Sequence, residues 1–302
     1  MTSIKVGVHL PVAGRFAAPE SIAAVAEEAE RIGLDSVWSW ERLMRPTVPI
    51  AMGGPGGPVM AAPEDFATVY DPIETLTYVA ARTSRISLGT SVLDALFQSP
   101  VILARRLATL DRFSGGRLIA GMGQGWMGQE FEAAGVSMST RGAGFEEHLL
   151  AMRAVWGSDP VSFAGRYYSI PEAEIGPKPV RPGGPSVVVG AASPPALQRA
   201  GRLGLGLTLV IFDWDSVRES IATFRAAADA AGHAPDALPI MLQVNGNVTE
   251  DPVPEPAPLL GSPEQVAADL EKAAKLGVGH VFWHFDENPL RSLPLLAQLR
   301  RD

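Results

Sequence analysis

Short apolar runs alternate with amphipathic stretches along this chain. Ile4 to Leu10 (IKVGVHL) reads as a strand, and Pro19 to Ile32 follows with apolar residues at helical spacing. Pro19 falls in the first turn of that helix and Gly33 just past its end. Strand Ser36 to Trp40, helix Asp71 to Thr83, strand Arg85 to Val92, helix Ser99 to Phe113, strand Leu118 to Gly123 and helix Gly142 to Trp156 continue the rhythm. The second half repeats it. Strands are expected at Ser186 to Val189, Leu205 to Phe212, Leu238 to Val248 and Val278 to Phe285. The helices that follow them are Pro194 to Leu203, Ser216 to Ala231, Pro263 to Leu276 and Leu290 to Arg300.

That pattern gives eight strands and eight helices in alternation. The strands lack a period-two polar face, as expected of parallel strands covered by helices. The expected fold is α/β: a single-domain (β/α)8 TIM barrel spanning residues 1–302. A doubly wound open sheet is the competing architecture. It would want a G-x-G-x-x-G phosphate fingerprint after the first strand, where this chain has HLPVAGRF. Insertions interrupt the alternation after the second strand (Arg45 to Tyr70, with MGGPGGPVMAAP) and before the fifth (Ser158 to Pro185). Within the latter, VSFAGRYYSI reads as a small hairpin. A Pro-rich loop, Glu250 to Ser262, follows the seventh strand. Long loops on a barrel's βα side are usual places for a site.

Composition narrows the chemistry. With 302 residues and 46% hydrophobic content, the chain is long enough for a sizeable core. The absence of Cys removes disulfides, thiolate metal sites and cysteine nucleophiles. A net charge of −8 argues against nucleic-acid binding. No apolar run reaches the length of a membrane span, and the first residues lack a signal-peptide layout, so a cytoplasmic protein is expected. No metal-ligand spacing of His, Asp and Glu occurs, and no G-x-S-x-G elbow. A sugar or aldol barrel enzyme would need a lysine or paired carboxylates at strand ends, and none is evident.

Four stretches in order carry a resemblance. They are AEEAERIGLDSVW (Ala26 to Trp38), RISLGTSVL (Arg85 to Leu93), PVILARRLATLDRFSGGRLIAGMGQGW (Pro100 to Trp126) and EEHLLAMRAVW (Glu146 to Trp156). The series resembles the bacterial-luciferase-like family of flavin- and deazaflavin-dependent oxidoreductases. The resemblance implies a flavin-type cofactor at the barrel mouth and redox chemistry on a small organic substrate. The ERLMRP lip, GTSVL and the GPGGP loop are more similar to the branch that uses coenzyme F420 for hydride transfer. FMN, with oxygen activation, is the alternative, and a non-catalytic cofactor carrier is the alternative of another class. A homodimer is implied by the family alone.

Site residues follow from these positions. Trp40, Glu41 and Arg42 stand at the lip of the second strand, where some deazaflavin relatives carry Asp-His. The histidine's role therefore has no bearer here. Arg42 can hold an anion but cannot shuttle protons, and Glu41 can orient Arg42 or bond a cofactor ring. The pair can also be a surface ion pair. Arg42→Ala is expected to weaken cofactor binding or turnover about tenfold with little loss of stability. The family resemblance places a cis peptide at Ser91–Val92 behind the cofactor ring, with Asp94 beside it. Gln124 and Trp126 end the fourth strand, and Trp126 either stacks on a ligand or packs under the loop. Gly190, Ala191, Ala192 and Ser193 match the family's phosphate loop, and Ser193 also suits a helix N-cap. His9 and His284 end the first and eighth strands, which are neighbours in a closed barrel. They can meet at the mouth, where either serves as a general acid or base or both are pocket lining or core packing. His148, His233 and His280 read as structural. Trp40, Trp126, Phe212 and Trp214 would make an apolar pocket.

Overall fold

The computed structural model describes residues 4–300. Several helices start where a side chain caps unpaired N–H groups, and others open on Pro alone. Strand β1 (Lys5–His9) leads to α1 (Pro19–Arg31), and β2 (Ser36–Ser39) ends at the lip. A short hairpin of β3 (Ile50–Ala51) and β4 (Val59–Met60) forms within the insertion. Asp71 caps α2 (Pro72–Ala80), its carboxylate accepting from Ile73 N at 2.9 Å. Strand β5 (Ser87–Thr90) breaks at Ser91 and resumes as β6 (Leu93–Asp94). Ser99 caps α3 (Pro100–Phe113), and β7 (Leu118–Gly123) follows. A short helix, α4 (Gly128–Ala133), precedes α5 (Ala143–Trp156). The expected hairpin is β8 (Val161–Ala164) with β9 (Ser169–Ala173).

The remaining units are β10 (Ser186–Gly190), α6 (Pro194–Arg202), β11 (Gly206–Val210) and α7 (Trp214–Ala230). They are followed by β12 (Ile240–Asn245), α8 (Pro263–Lys275), β13 (His280–His284) and α9 (Pro289–Ala297). A reciprocal capping box between Ser262 and Gln265 starts α8.

Eight parallel strands close on themselves in the order β1, β2, β5, β7, β10, β11, β12, β13. The seam between β7 and β10 pairs Ser186 with Ile119 and Val189 with Met122, and β13 returns to β1 with Lys5 opposite His280. The TIM-barrel expectation holds, and α4 is the helix the periodicity did not find. No helix among the described residues is long and apolar enough to cross a membrane.

The barrel interior is filled from below. Trp38, Val188, Met241 and Phe282 form their own buried group, with Ile119 against it. Trp38 lies flat on Phe282, ring centroids 4.0 Å apart and 13° from parallel. Glycine makes that possible: a Cβ at Gly89 would come within 2.2 Å of the Trp38 ring. Beneath it, Trp38 Nε1 donates to Ser36 Oγ at 2.7 Å, and that hydroxyl lies 2.6 Å from His280 Nε2. Burial holds His280 neutral, its pKa pushed down to about 3. His280 is structural, as expected. So are His148, bonded to the Gln98 carbonyl at 3.0 Å, and His233, bonded to the Arg202 carbonyl at 3.0 Å. With its lower half plugged by indole and phenyl rings, the barrel leaves its upper half for a site.

Candidate active site

Inward-facing residues one layer above Phe282 are polar. His9 at the end of β1 and His284 at the end of β13 sit with ring centroids 5.0 Å apart, and His9 lies 5.4 Å from Phe282. Trp40, just past β2, is 5.9 Å from His284 and 5.9 Å from Phe66 of the insertion. The two histidines meet at the mouth as adjacency predicted. Burial lowers His9 well below its ordinary value. His284 adds to that, and the Gln243 side chain opposes it. Burial lowers His284 too, against the carboxylates of Asp286 and Asp65. Both rings are neutral at pH 7. Across the mouth, Ser91 Oγ donates to Gln243 Oε1 at 2.9 Å, tying β5 to β12.

The lip is wired differently from the expectation. Glu41 does not orient Arg42. Its Oε2 accepts from Asp94 N at 2.7 Å, and its own N–H faces Val92 O at 3.3 Å. Arg42 Nη1 instead pairs with Glu130 Oε2 at 2.5 Å, and Glu130 Oε1 accepts from Leu43 N at 2.7 Å. Glu130 is fully buried on α4. Arg42 also lies over the rings of Phe66 (5.1 Å) and Trp126 (4.9 Å). Its guanidinium is a clasp for the insertion, and a stranded carboxylate would follow its removal. The expectation that Arg42→Ala spares stability is therefore corrected. Trp126 packs under the loop, in a small apolar group of Ile50, Ala62, Met127, Met44, Met52 and Phe66.

Glu41, Asp94 and Glu130 converge here, so the sequence-based view that no carboxylates pair at strand ends is also corrected. Burial raises Glu41 to about 8, and the neighbouring Asp94 carboxylate adds to that. Burial raises Asp94 to about 6, against Arg42, whose Nη1 is 3.9 Å from Asp94 Oδ2. Glu41 therefore carries a proton at pH 7. Because Oε2 is accepting from Asp94 N, that proton belongs on Oε1.

The peptide between Ser91 and Val92 is cis, where the family resemblance placed it. Val92 forms a seat between two strand-end glycines. A Cβ at Gly123 would approach Val92 Cγ2 to 2.6 Å, and one at Gly190 would approach Val92 Cγ1 to 3.1 Å. Gln124 turns away from this seat: its Oε1 accepts from Gly142 N at 3.2 Å and from Arg199 at 3.3 Å. Ser193 holds the N-cap position of α6 but makes no capping bond. Pro195 has no N–H to give, and Ala196 N is already bonded to Ser193 O at 2.9 Å. The Ser193 hydroxyl is exposed and makes no capping bond, and any backbone N–H groups free to donate at this end lie at residues 191–193 rather than in the helix's first turn. Phe212 is 77% exposed on the rim, and Trp214 sits under Lys272 of α8 at 6.0 Å. The four-aromatic pocket does not form.

A planar ring cofactor fits these residues. Buried polar atoms without a well-formed hydrogen bond among the described residues include both His9 nitrogens, Trp40 Nε1, Asp94 Oδ2 and Arg141 Nε. Native interiors seldom leave such groups unmet. The glycine-flanked Val92 gives a smooth seat. No group of three or more His, Cys, Asp or Glu among the described residues can hold a metal.

A family model described as luciferase-like monooxygenase matches residues 1–253. An F420-dependent glucose-6-phosphate dehydrogenase of Amycolatopsis mediterranei is 33% identical over 62% of this chain and 52% of its own length. One from Kineococcus radiotolerans is 30% identical over 78% of this chain and 66% of its own. The chain thus spans about half to two thirds of these curated relatives. An FMNH2-dependent dimethylsulfone monooxygenase of Pseudomonas putida is 29% identical over 51% of this chain and 43% of its own. A monooxygenase structure from Streptomyces bottropensis superposes with a TM-score of 0.80 at 23% identity, covering 98% of both chains. A coenzyme F420-dependent tetrahydromethanopterin reductase structure from Methanopyrus kandleri gives 0.78 at 18%, again over 98% of each. At these identities the two structures speak for the fold.

Proposed function

Since the chain belongs to the luciferase-like monooxygenase family, we propose that it is an oxidoreductase that binds coenzyme F420 across the barrel mouth and acts on a small organic substrate. The observation that carries this is the Val92 seat, bordered by Gly123 and Gly190, with buried polar atoms of His9 and Trp40 that lack a well-formed hydrogen bond around the mouth. When bound, the deazaflavin would supply the hydride chemistry, and the protein supplies orientation and proton control.

Ser91 and Val92 support the ring from behind, with Trp40 and Asp94 at its edges. Gly190, Ala191, Ala192 and the free hydroxyl of Ser193 hold a phosphate, and Gln124 braces Arg199 beside them. Glu41 holds a proton at Oε1, in the role of general acid. His9, neutral and buried, is the base candidate. Arg42 acts through Glu130 by keeping the insertion shut, and Trp126 packs beneath that insertion; neither is needed at the reacting atoms. An FMN-dependent monooxygenase is the second reading, favoured by the similarity to the Pseudomonas putida enzyme. We further propose one domain over the whole chain, a cytoplasmic location and a homodimer. Support for the dimer comes from the family resemblance alone.

The deciding experiment is a fluorescence titration with F420 and, separately, FMN. Saturable binding of F420 alone is expected. FMN binding alone would replace the first reading with the second, and binding of neither would end both. Ser193→Ala is expected to weaken F420 binding about tenfold, roughly 1.4 kcal/mol. Unchanged affinity would remove Ser193 from the phosphate loop.

A further inference from the structure

One corner of the mouth speaks to substrate class, on the premise that a ring cofactor and a small substrate share this mouth. His9, His284 and Trp40 bound it, with ring centroids 5.0 Å (His9 to His284) and 5.9 Å (Trp40 to His284) apart. His9 is 1% exposed, yet its nitrogens make no well-aligned hydrogen bond among the described residues, the Gln243 side chain being the polar group that bears on them, and Trp40 Nε1 makes none either. Three hydrogen-bonding atoms thus border this corner with no well-formed protein hydrogen bond, Gln243 making only a loose approach to His9. The charged side chains that bear on His284 are the carboxylates of Asp286 and Asp65. Arg42, the cation of the lip, is committed to Glu130. Arg141 lies elsewhere, under the insertion near Gly54 and beside Asp94.

An anion placed against His9 would meet neutral imidazoles and nearby carboxylates. An uncharged oxygen would meet a nitrogen able to donate or accept and an indole N–H. A site built to hydrogen-bond such an oxygen discriminates strongly against ligands that cannot satisfy it. We infer that this corner receives the hydroxyl or carbonyl oxygen of an uncharged substrate, an alcohol or its ketone or aldehyde partner, and excludes phosphorylated or carboxylated molecules. The chain would then differ in substrate from the glucose-6-phosphate dehydrogenases it resembles.

The test is calorimetric titration of the F420-loaded protein with cyclohexanone and with glucose 6-phosphate, repeated on the cofactor-free protein. Saturable binding of the ketone is expected, with glucose 6-phosphate at least tenfold weaker. His9→Phe should weaken the ketone at least tenfold. Trp40→Phe, which removes one N–H at a half-buried position, should weaken it about threefold and serves if His9→Phe does not fold. Equal or tighter binding of glucose 6-phosphate overturns the inference, as does wild-type ketone affinity in the variants. If F420 does not bind while the cofactor-free protein still prefers the ketone, the cofactor reading falls and this one stands.

Discussion

Replacing Arg42 by alanine is expected to destabilise the protein by about 3–5 kcal/mol, because it strands Glu130 as a buried, unpaired carboxylate. Glu130 is wholly buried and Arg42 nearly so, and few of the other ion pairs among the described residues lie so far from water. The pair itself need not stabilise the fold strongly. The penalty lies in removing one half. Arg42→Met combined with Glu130→Gln is therefore expected to recover most of the loss, since glutamine can still accept from Leu43 N. Urea unfolding of the two variants measures this. A single variant within about 0.5 kcal/mol of wild type would show that the clasp carries little. A double variant as weak as the single would place the cost in the lost contacts with Phe66 and Trp126.

The second large effect is on pH dependence. The Glu41 carboxyl has an ordinary value of 4.5 and a folded value of about 8, raised by burial and then by Asp94. The folded state thus holds a proton that the unfolded chain releases earlier. Glu41's contribution to stability is fully present below pH 4.5 and is lost as pH rises through about 8, a loss on the order of 5 kcal/mol. Asp94, raised from 3.8 to about 6, adds a smaller loss in the same direction. Glu41→Gln keeps an acceptor for Asp94 N and cannot ionise. Its stability relative to wild type should climb from pH 4.5 to pH 8 and level off above that. A flat difference across that window would mean that Glu41 ionises normally in the fold.

The barrel was legible because each βα unit carries its own local signals. Pro72, Pro100, Pro194 and Pro263 open helices, and apolar strands lie between them at regular spacing. Leu118 to Gly123 was read to the residue. The meeting of His9 and His284 followed from closure of the barrel alone. The wiring of the lip did not follow. Glu130 lies 88 positions from Arg42, on a six-residue helix too short for its periodicity to register. Its sequence, GQEFEA, looks like solvated polar residues, and only the insertion folding over it buries the carboxylate. Ser193 takes the expected N-cap position but makes no side-chain bond there, for a related reason. A serine before a helix signals a cap, but the two prolines after it remove or divert the donors a cap would use. The paired carboxylates stayed hidden because Asp94 reaches Glu41 only through the break between β5 and β6.

The cover over the mouth is lopsided. Tyr70 N bonds to Val12 O at 2.9 Å and Gly14 N to Thr68 O at 3.1 Å, so the loop after β1 and the insertion are stitched into one roof. Over β11 the mouth has no such roof: Val210 is 40% exposed at the strand's end. The side towards the start of α6 is then the more open one. A molecule seated deep against His9 by that route would go in first and come out last, and whatever occupies the Ser193 end would stand in its way. Ordered traffic of this kind would arise from the roof alone, with no moving lid.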